Sequence, residues 1–286
     1  MRSIHEHVAA ARHRLVNAGL SRAEADLSAR VLAEHVLGWS SEQFYTDGFD
    51  AEPDGFGSRY EAAIARRAAR QPLPYITGER EFWGLSFEVT PDVLIPRPET
   101  ELLVEAALEL YPDKNATPDV VDVCTGSGCV GVALAIERPL ATVLATDISE
   151  AALTVARRNA RRLGVEERIR FMRSDVLANV PGEFDLIVAN PPYVRSVDRN
   201  GLQPEVREEP ALALYSGQDG LDAIGRLVEE APGHLRDGGH LVFEFGFGQE
   251  IEVERLIAAS GSMQLRELRR DLQGIARATI SKKATT

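Results

Sequence analysis

Beyond Pro118 the chain repeats one pattern: a short run of apolar residues, a polar or glycine-containing turn, then a stretch with helical spacing. Val120-Val121-Asp122-Val123, Thr142-Val143-Leu144-Ala145-Thr146, Ile169-Arg170-Phe171 and Leu186-Ile187-Val188-Ala189 read as strands, with helices over about 130–137 and 149–163. Further strand signals follow at 241–245, 265–268 and 276–280. Such runs suit strands covered on both faces, and strand–helix alternation builds a parallel sheet through right-handed crossovers. The pattern therefore restricts this part to an α/β, Rossmann-like, doubly wound domain. In such a sheet ligands collect at the carboxyl ends of the strands, where the strand order reverses. The residues just after each strand are the ones to read for function.

The front of the chain has a different period. Ile4, Val8, Ala11, Leu15 and Ala18 keep the three-and-four spacing of a helical face, and Gly19 is placed to end it. Ser21-Arg22-Ala23-Glu24 matches a capping box, and Leu27, Val31, Leu32, His35 and Val36 form the apolar stripe expected behind it, with His35 packed in the helical core. Shorter helices over 41–45 and 58–70 complete a small bundle. Arg59, Arg66, Arg67 and Arg70 share the last of them, where a solvated basic face is the plain reading. From Pro72 the texture changes, and Tyr75-Ile76, Glu81-Phe82-Trp83 and Leu85-Ser86-Phe87-Glu88-Val89 read as short strands around Gly78 and Gly84. The expected organisation is a helical bundle over 1–74, a β-hairpin linker over 75–98 and the α/β domain over 99–286.

Composition narrows the setting. No apolar run approaches the roughly 18 residues of a membrane span, and Met1-Arg2-Ser3-Ile4-His5-Glu6-His7 lacks the apolar core of a secretory signal, so a cytoplasmic location is expected. Two cysteines, Cys124 and Cys129, are too few for a disulfide framework or a metal site, so no metal is expected. They read as small buried residues around a glycine turn, with a mutual pairing left open. A formal charge of -12 argues against wrapping long nucleic acid, and no stable nucleic-acid binding is expected.

Three strand ends outline a ligand site. The first opens into Cys124-Thr125-Gly126-Ser127-Gly128, where glycines permit close approach and a helix N-terminus presents free N–H groups. The second ends in Asp147, about twenty residues on, where a carboxylate can hold both ribose hydroxyls. A nicotinamide dehydrogenase would share that feature, but the turn is not Gly-x-Gly-x-x-Gly and no pyrophosphate-binding array stands out. The third is followed by Asp175, placed to accept an adenine amino group, and Val176, placed to pack on the ring. Together they describe an adenosine site without phosphates, which S-adenosyl-L-methionine fits.

The fourth strand ends in Asn190-Pro191-Pro192-Tyr193. Successive prolines fix their own φ and push the preceding residue toward extended geometry, so the loop is rigid. An amide nitrogen shares its lone pair with its carbonyl and is a poor nucleophile. Asn190 Oδ1 and the Pro191 carbonyl can accept both hydrogens of a planar –NH2, and Tyr193 can stack on the group. Orientation and electrostatic stabilisation would then drive methyl transfer, with no base required beforehand.

Asn-Pro-Pro-Tyr after the fourth strand resembles the signature of class I methyltransferases acting on planar amino groups. Taken with Gln71-Pro72, Tyr75-Ile76-Thr77-Gly78, Glu81-Phe82-Trp83-Gly84, Ile95-Pro96-Arg97-Pro98-Glu99-Thr100-Glu101, Glu209-Pro210-Ala211-Leu212 and Gly217-Gln218-Asp219-Gly220, nearly the whole chain resembles the release factor glutamine methyltransferase family. The resemblance implies a class I methyltransferase domain behind a small N-terminal helical domain. It implies methylation of N5 of the glutamine in the Gly-Gly-Gln motif of class 1 peptide chain release factors, with S-adenosyl-L-homocysteine as product. It also implies cofactor contacts at Cys124, Thr125, Gly126, Ser127, Gly128, Asp147, Val176 and Asn190, with the substrate glutamine held by Asn190, Pro191, Pro192 and Tyr193. Arg97, in the segment read beside this loop, is expected on the substrate side.

Two departures stand out. Cys124 occupies a place where the family often has glycine, so its backbone keeps φ negative or carries strain. Val176 stands where some members have an aromatic ring. Rival readings are a DNA amino-methyltransferase acting on a flipped base, a ribosomal-protein glutamine methyltransferase, and a nonenzymatic binding protein on the same fold. The stretch 194–220 has no clear element and is expected to be a loop that contacts the protein substrate.

Overall fold

The computed structural model describes residues 2–284. Met1 of the expected N-terminus, and Thr285 and Thr286 of the polar tail, lie outside the described residues. The chain divides into two units, Met1–Glu79 with Gln203–Glu208, and Arg80–Leu202 with Glu209–Thr286.

The first unit contains α1 (Ile4–Asn17), α2 (Arg22–Leu37), α3 (Ser41–Asp47), α4 (Phe56–Ala68) and α5 (Leu73–Thr77). The capping box at Ser21 is present, and Ser3 and Ser40 make two more. In each, the serine hydroxyl accepts the N–H three residues on while Glu6, Glu24 or Gln43 accepts the serine N–H. Three helix starts are thereby satisfied without tertiary help.

The buried stripe of α2 differs from the expected one. Ala25, Ser28, Ala29, Leu32 and Ala33 face inward, whereas Leu27 is 49% exposed and His35 lies on the surface. Small side chains let α2 lie close against α1 and α4, and the Tyr60 hydroxyl reaches the Ala29 carbonyl at 2.9 Å. Packing at short range selects the small-residue face over the bulkier one.

Tyr75 and Ile76, read as strand, lie in α5, where Pro74 sits in the first turn and Gly78 closes the helix in the left-handed region. The arginines of the fourth helical segment are structural ties. Arg67 is 4% exposed and donates to Ser28 Oγ, the Gln71 carbonyl and Glu205 Oε1 at 3.1, 3.2 and 2.7 Å. Arg70 donates to Glu205 Oε2 at 2.7 Å and to the Gly19 carbonyl at 2.7 Å. Glu205 thus binds residues 203–208 into the helical unit.

The second unit opens with β1 (Glu79–Phe82) and β2 (Leu85–Glu88), joined through Trp83 and Gly84, both at positive φ (55° and 67°). That is the geometry of a tight hairpin turn. Trp83 is held there by its backbone N–H on Glu101 at 2.8 Å and its indole N–H on Glu137 at 3.0 Å. Then come α6 (Glu101–Leu110), β3 (Asp119–Val123), α7 (Cys129–Glu137), β4 (Thr142–Asp147), α8 (Glu150–Arg162), β5 (Ile169–Arg173) and β6 (Phe184–Ala189). The stretch read as featureless contains a 3-10 turn at Ser196–Gly201 and two one-turn helices, α9 (Pro204–Arg207) and α10 (Ala211–Leu214). It is followed by α11 (Asp222–His234), β7 (Leu235–Glu244), α12 (Glu250–Ala259), β8 (Met263–Arg270) and β9 (Ala276–Lys283).

The seven strands lie in the order β5-β4-β3-β6-β7-β9-β8. The first five are parallel, while β9 runs antiparallel to both β7 and β8. The link between β8 and β9 is too short for a crossover, so these two form a hairpin. From β3 the chain steps outward to β4 and β5, then returns to the other side of β3 as β6, making the β3/β6 boundary the switch point. Side chains alternate between two cores. Val120, Leu186, Val188 and Val242 face one, with residues of α6 and α7; Val121, Val123, Ile187, Leu241 and Phe243 face the other, with residues of α11 and α12.

Replacing Glu205 with alanine leaves the buried Arg67 charge without its counter-ion. Glu205→Ala is expected to lower the unfolding free energy by roughly 3 kcal/mol and to expose residues 203–208 to protease. An unchanged urea midpoint and cleavage pattern would show that the shared carboxylate does not hold the segment.

Candidate active site

The carboxyl ends of β3, β4 and β6 and the segment after β5 line one cavity of about 320 Å³, together with parts of 92–96 and 210–217. Its wall includes Cys124, Thr125, Gly126 and Ser127 after β3, Asp147 at the end of β4, Asp175 and Val176 after β5, and Asn190 and Pro192 after β6. Gly128, Pro191, Tyr193 and Arg97 do not line it. Thr100, Asp122, Ser174 and Arg226 do, and none of these four was singled out from sequence.

Asp147 organises the turn after β3. Its Oδ2 accepts the Gly126 N–H and its Oδ1 the Ser149 N–H, both at 2.9 Å, while the Thr125 N–H meets the Thr146 carbonyl at 2.9 Å. Burial raises the Asp147 pKa, opposed by the N–H groups of Ser149 and Gly126. Asp122 is wholly buried beneath the same turn. Its Oδ2 accepts the Thr125 hydroxyl at 2.5 Å and the Gly131 N–H at 2.9 Å. A Cβ on Gly131 would stand 2.8 Å from that oxygen, so only glycine lets α7 bring its backbone this close. Burial pushes the Asp122 carboxyl up to about 7, against the pull of Thr125 and Gly131, and the Asp147 charge adds to the rise.

Asn159 on α8 is 0% exposed and stitches the turn to the hairpin. Its Nδ2 donates to the carbonyls of Ser127 and Glu88 at 2.9 and 3.0 Å, and its Oδ1 accepts the Glu88 N–H at 2.7 Å. The signal was present as a polar residue inside an apolar helical stripe, but only tertiary contacts give it a role.

Both departures noted in the sequence fall at positive φ. Cys124 has φ 58° and Val176 φ 52°, a region costly for side chains with a Cβ and most so for a β-branched one. The strained alternative therefore applies to Cys124. Neither cysteine is in a disulfide, and burial pushes both thiols up, Cys129 to about 12. Such thiols stay protonated at neutral pH and do not act as nucleophiles.

The Asn190 loop is held from several sides. Asn190 Nδ2 donates to Thr100 Oγ1 at 3.0 Å, and Thr100 Oγ1 lies 2.7 Å from Glu244 Oε2. The Tyr193 hydroxyl donates to Glu244 Oε1 at 2.9 Å, and the Tyr193 carbonyl accepts the Gln249 amide at 3.1 Å. Tyr193, expected to stack on substrate, has its ring against the core shared by β6 and β7 and its hydroxyl committed to Glu244. Burial raises Glu244, opposed by the Thr100 and Tyr193 hydroxyls; burial and Glu244 together hold Tyr193 well above its usual range. Arg97 is bonded to Glu209, whose other oxygen accepts the Ile95 N–H at 3.0 Å. Its guanidinium thereby closes the segment before α6 onto the chain after α9.

Cys124→Gly and Cys124→Ala both remove the thiol but differ in tolerance of φ 58°. The glycine variant is expected to be more stable than the alanine one by about 1 kcal/mol, read from urea unfolding. Equal stability would mean that the backbone there relaxes.

A family model described as Methyltransferase small domain matches residues 99–206, and one described as PrmC N-terminal domain matches residues 6–78. The chain is 47% identical over 249 residues to the release factor glutamine methyltransferase of Cereibacter sphaeroides, covering 87% of each chain. It is 43% identical over 265 residues to that of Bordetella pertussis, covering 92% of this chain and 95% of that one. Among solved structures it is similar to the ribosomal protein L11 methylase from Lactobacillus delbrueckii subsp. bulgaricus, with 27% identity, a TM-score of 0.50, and coverage of 68% of this chain and 84% of that one. With that identity sustained over nearly the full length of its relatives, the chain belongs to the release factor glutamine methyltransferase family.

Proposed function

We propose that the chain transfers a methyl group from S-adenosyl-L-methionine to N5 of the glutamine in the Gly-Gly-Gln motif of class 1 peptide chain release factors, in the cytoplasm, with S-adenosyl-L-homocysteine as product. The observation that carries this reading is the place of Asn190 in the lining of the same cavity as Asp147, with its Nδ2 already bound to Thr100. Among the described residues no protein donor meets Asn190 Oδ1, which leaves that oxygen for a substrate N–H.

The cavity suits the cofactor on several counts. About 320 Å³ lies within the range of small-molecule sites. Asp147 would hold the ribose hydroxyls and Val176 would pack on the adenine. The buried Ser174 hydroxyl, without a protein partner, faces the wall and supplies a free polar group. Asp122, Asp147 and Asp175 favour a cationic ligand. Among the described lining residues Arg226 is the one cation, and Asp175 takes it up at 2.8 Å, which disfavours a phosphate-bearing cofactor.

When bound, the cofactor supplies an electrophilic methyl on a sulfonium. The protein's part is to orient a poor nucleophile. Asn190 Oδ1 and the Pro191 carbonyl accept the two amide hydrogens, fix the nitrogen and favour the positive charge that develops on it. Tyr193 is not a base, since its phenol is held far above neutrality. The proton leaves after the methyl has transferred. Among the described residues no helix is long and apolar enough to cross a membrane.

Purified protein with labelled S-adenosylmethionine should label a release factor in preference to a ribosomal protein or duplex DNA. Label on DNA alone would overturn the assignment. Asn190→Ala is expected to lower kcat by about 100-fold or more while calorimetry shows cofactor affinity largely kept; unaltered turnover would remove Asn190 as the amide clamp. Asp147→Ala should instead weaken cofactor binding by about 10-fold or more, near 1.4 kcal/mol per decade, and equal affinity would refute the ribose contact.

A further inference from the structure

Two buried carboxylates lie on the same face of the sheet near the ends of its central strands, and only one, Asp122, lines the cavity. The other, Glu244, is 2% exposed and receives nothing from a basic side chain among the described residues; its partners are two hydroxyls. A carboxylate buried with so little compensation is costly to keep. It stands at the end of β7, with Thr100 on one oxygen and Tyr193 on the other, and Thr100 in turn meets Asn190. Both polar side chains of the Asn-Pro-Pro-Tyr loop therefore trace to one carboxyl group.

We propose that Glu244 and Thr100 are positioning residues which fix the polarity of the Asn190 amide, holding its nitrogen inward on Thr100 so that its oxygen faces the substrate. Donor counting gives the reason, taken with the role proposed for Asn190. An ionised carboxylate only accepts, so the hydroxyl protons of Thr100 and Tyr193 are both directed at Glu244. With its proton committed, Thr100 Oγ1 has only lone pairs left for Asn190 and can bind Nδ2 but not Oδ1. Remove the carboxylate and the order is no longer enforced: Thr100 can donate to Oδ1, and the amide can turn to present –NH2 to the substrate –NH2. Two donors would then face each other, and a substrate amide would be repelled where it should be held. Thr100 itself lies in the Ile95-to-Glu101 segment, which gives that stretch a role beside the loop.

The test separates this inference from the function it rests on. Wild-type protein must first label a release factor; if it does not, the functional reading fails and not the chain of bonds. Thr100→Ser keeps the relaying hydroxyl and is expected to retain kcat within about threefold, whereas Thr100→Val, equal in shape but unable to accept or donate, should lose about tenfold or more. Glu244→Gln, whose amide can donate to Thr100 and reverse the chain, should lose a similar factor. For the valine and glutamine variants the release-factor KM, cofactor affinity and thermal midpoint should change far less than kcat. Equal kcat for the serine and valine variants would overturn the proposal, as would a loss of kcat matched by loss of cofactor affinity and thermal midpoint in every variant. If Glu244→Gln does not fold, the serine and valine pair decides alone.

Discussion

A sheet covered on both faces leaves its strand ends as the places where a ligand can meet backbone and side chain together. In this chain α6 and α7 cover one face and α11 and α12 the other, and alternate residues of each strand are committed to one core or the other. That alternation decides where the polar residues of the strands go. Asp122 follows the parity of Val120, and Glu244 that of Val242, so both carboxylates point to the α6/α7 face. Each must find donors within the protein, and each finds them in a loop that borders the cavity. Asp122 takes them from the turn and helix after β3; Glu244 takes them from the segment before α6 and the loop after β6. The geometry of the site follows from satisfying two buried acids.

The same acids set the electrostatics. Asp122, Asp147 and Glu244 are all pushed toward the neutral form by burial and pulled back by the hydrogen bonds that orient their neighbours. A cationic ligand in the cavity favours the ionised forms of the two that line it, while the Asp175–Arg226 pair contributes no net charge. An acidic wall with its single arginine neutralised is a poor host for phosphates and a good one for a sulfonium, which explains in physical terms why an aspartate at the end of β4 need not mean a dinucleotide.

The part of the candidate site that was legible lies at strand ends, and strand ends are marked by local sequence. The turn at Cys124, Asp147 and Asn190 lie at the ends of runs rich in apolar residues, and Asp175 and Val176 follow the weaker Ile169-Arg170-Phe171 signal. Asp122 was missed although its partners are local, but other missed residues act across long sequence separations. Thr100 and Glu244 meet over 144 positions, and Arg67 and Glu205 over 138, with no periodicity to announce either pair. The misread stripe of α2 has a different cause. Hydrophobicity favours Leu27, whereas close helix packing favours Ala25, Ser28 and Ala29, and packing prevails where helices touch. Tyr75 and Ile76 look like strand by composition, but Pro72 and Gly78 bound a short helix around them, with Pro74 in its first turn.

Rigidity ties these details to the chemistry. An amide nitrogen gains reactivity only by being held in line and by having its developing charge favoured, and either benefit disappears if the holding group can swing. The loop after β6 is restrained by its two prolines, by Thr100 on Asn190, by Glu244 and Gln249 on Tyr193, and by backbone bonds joining Val194 to Leu214 and Ser216 at 2.8 and 3.0 Å. Tyr193 thus serves the loop it belongs to, with its ring in the core and both polar ends occupied. Backbone strain at Cys124 and Val176, in the lining of the same cavity, survives because the surrounding bonds leave the chain no easier path. A loop restrained at so many points has its stability invested in the parts that hold Asn190 still, and most of those parts lie outside the cavity.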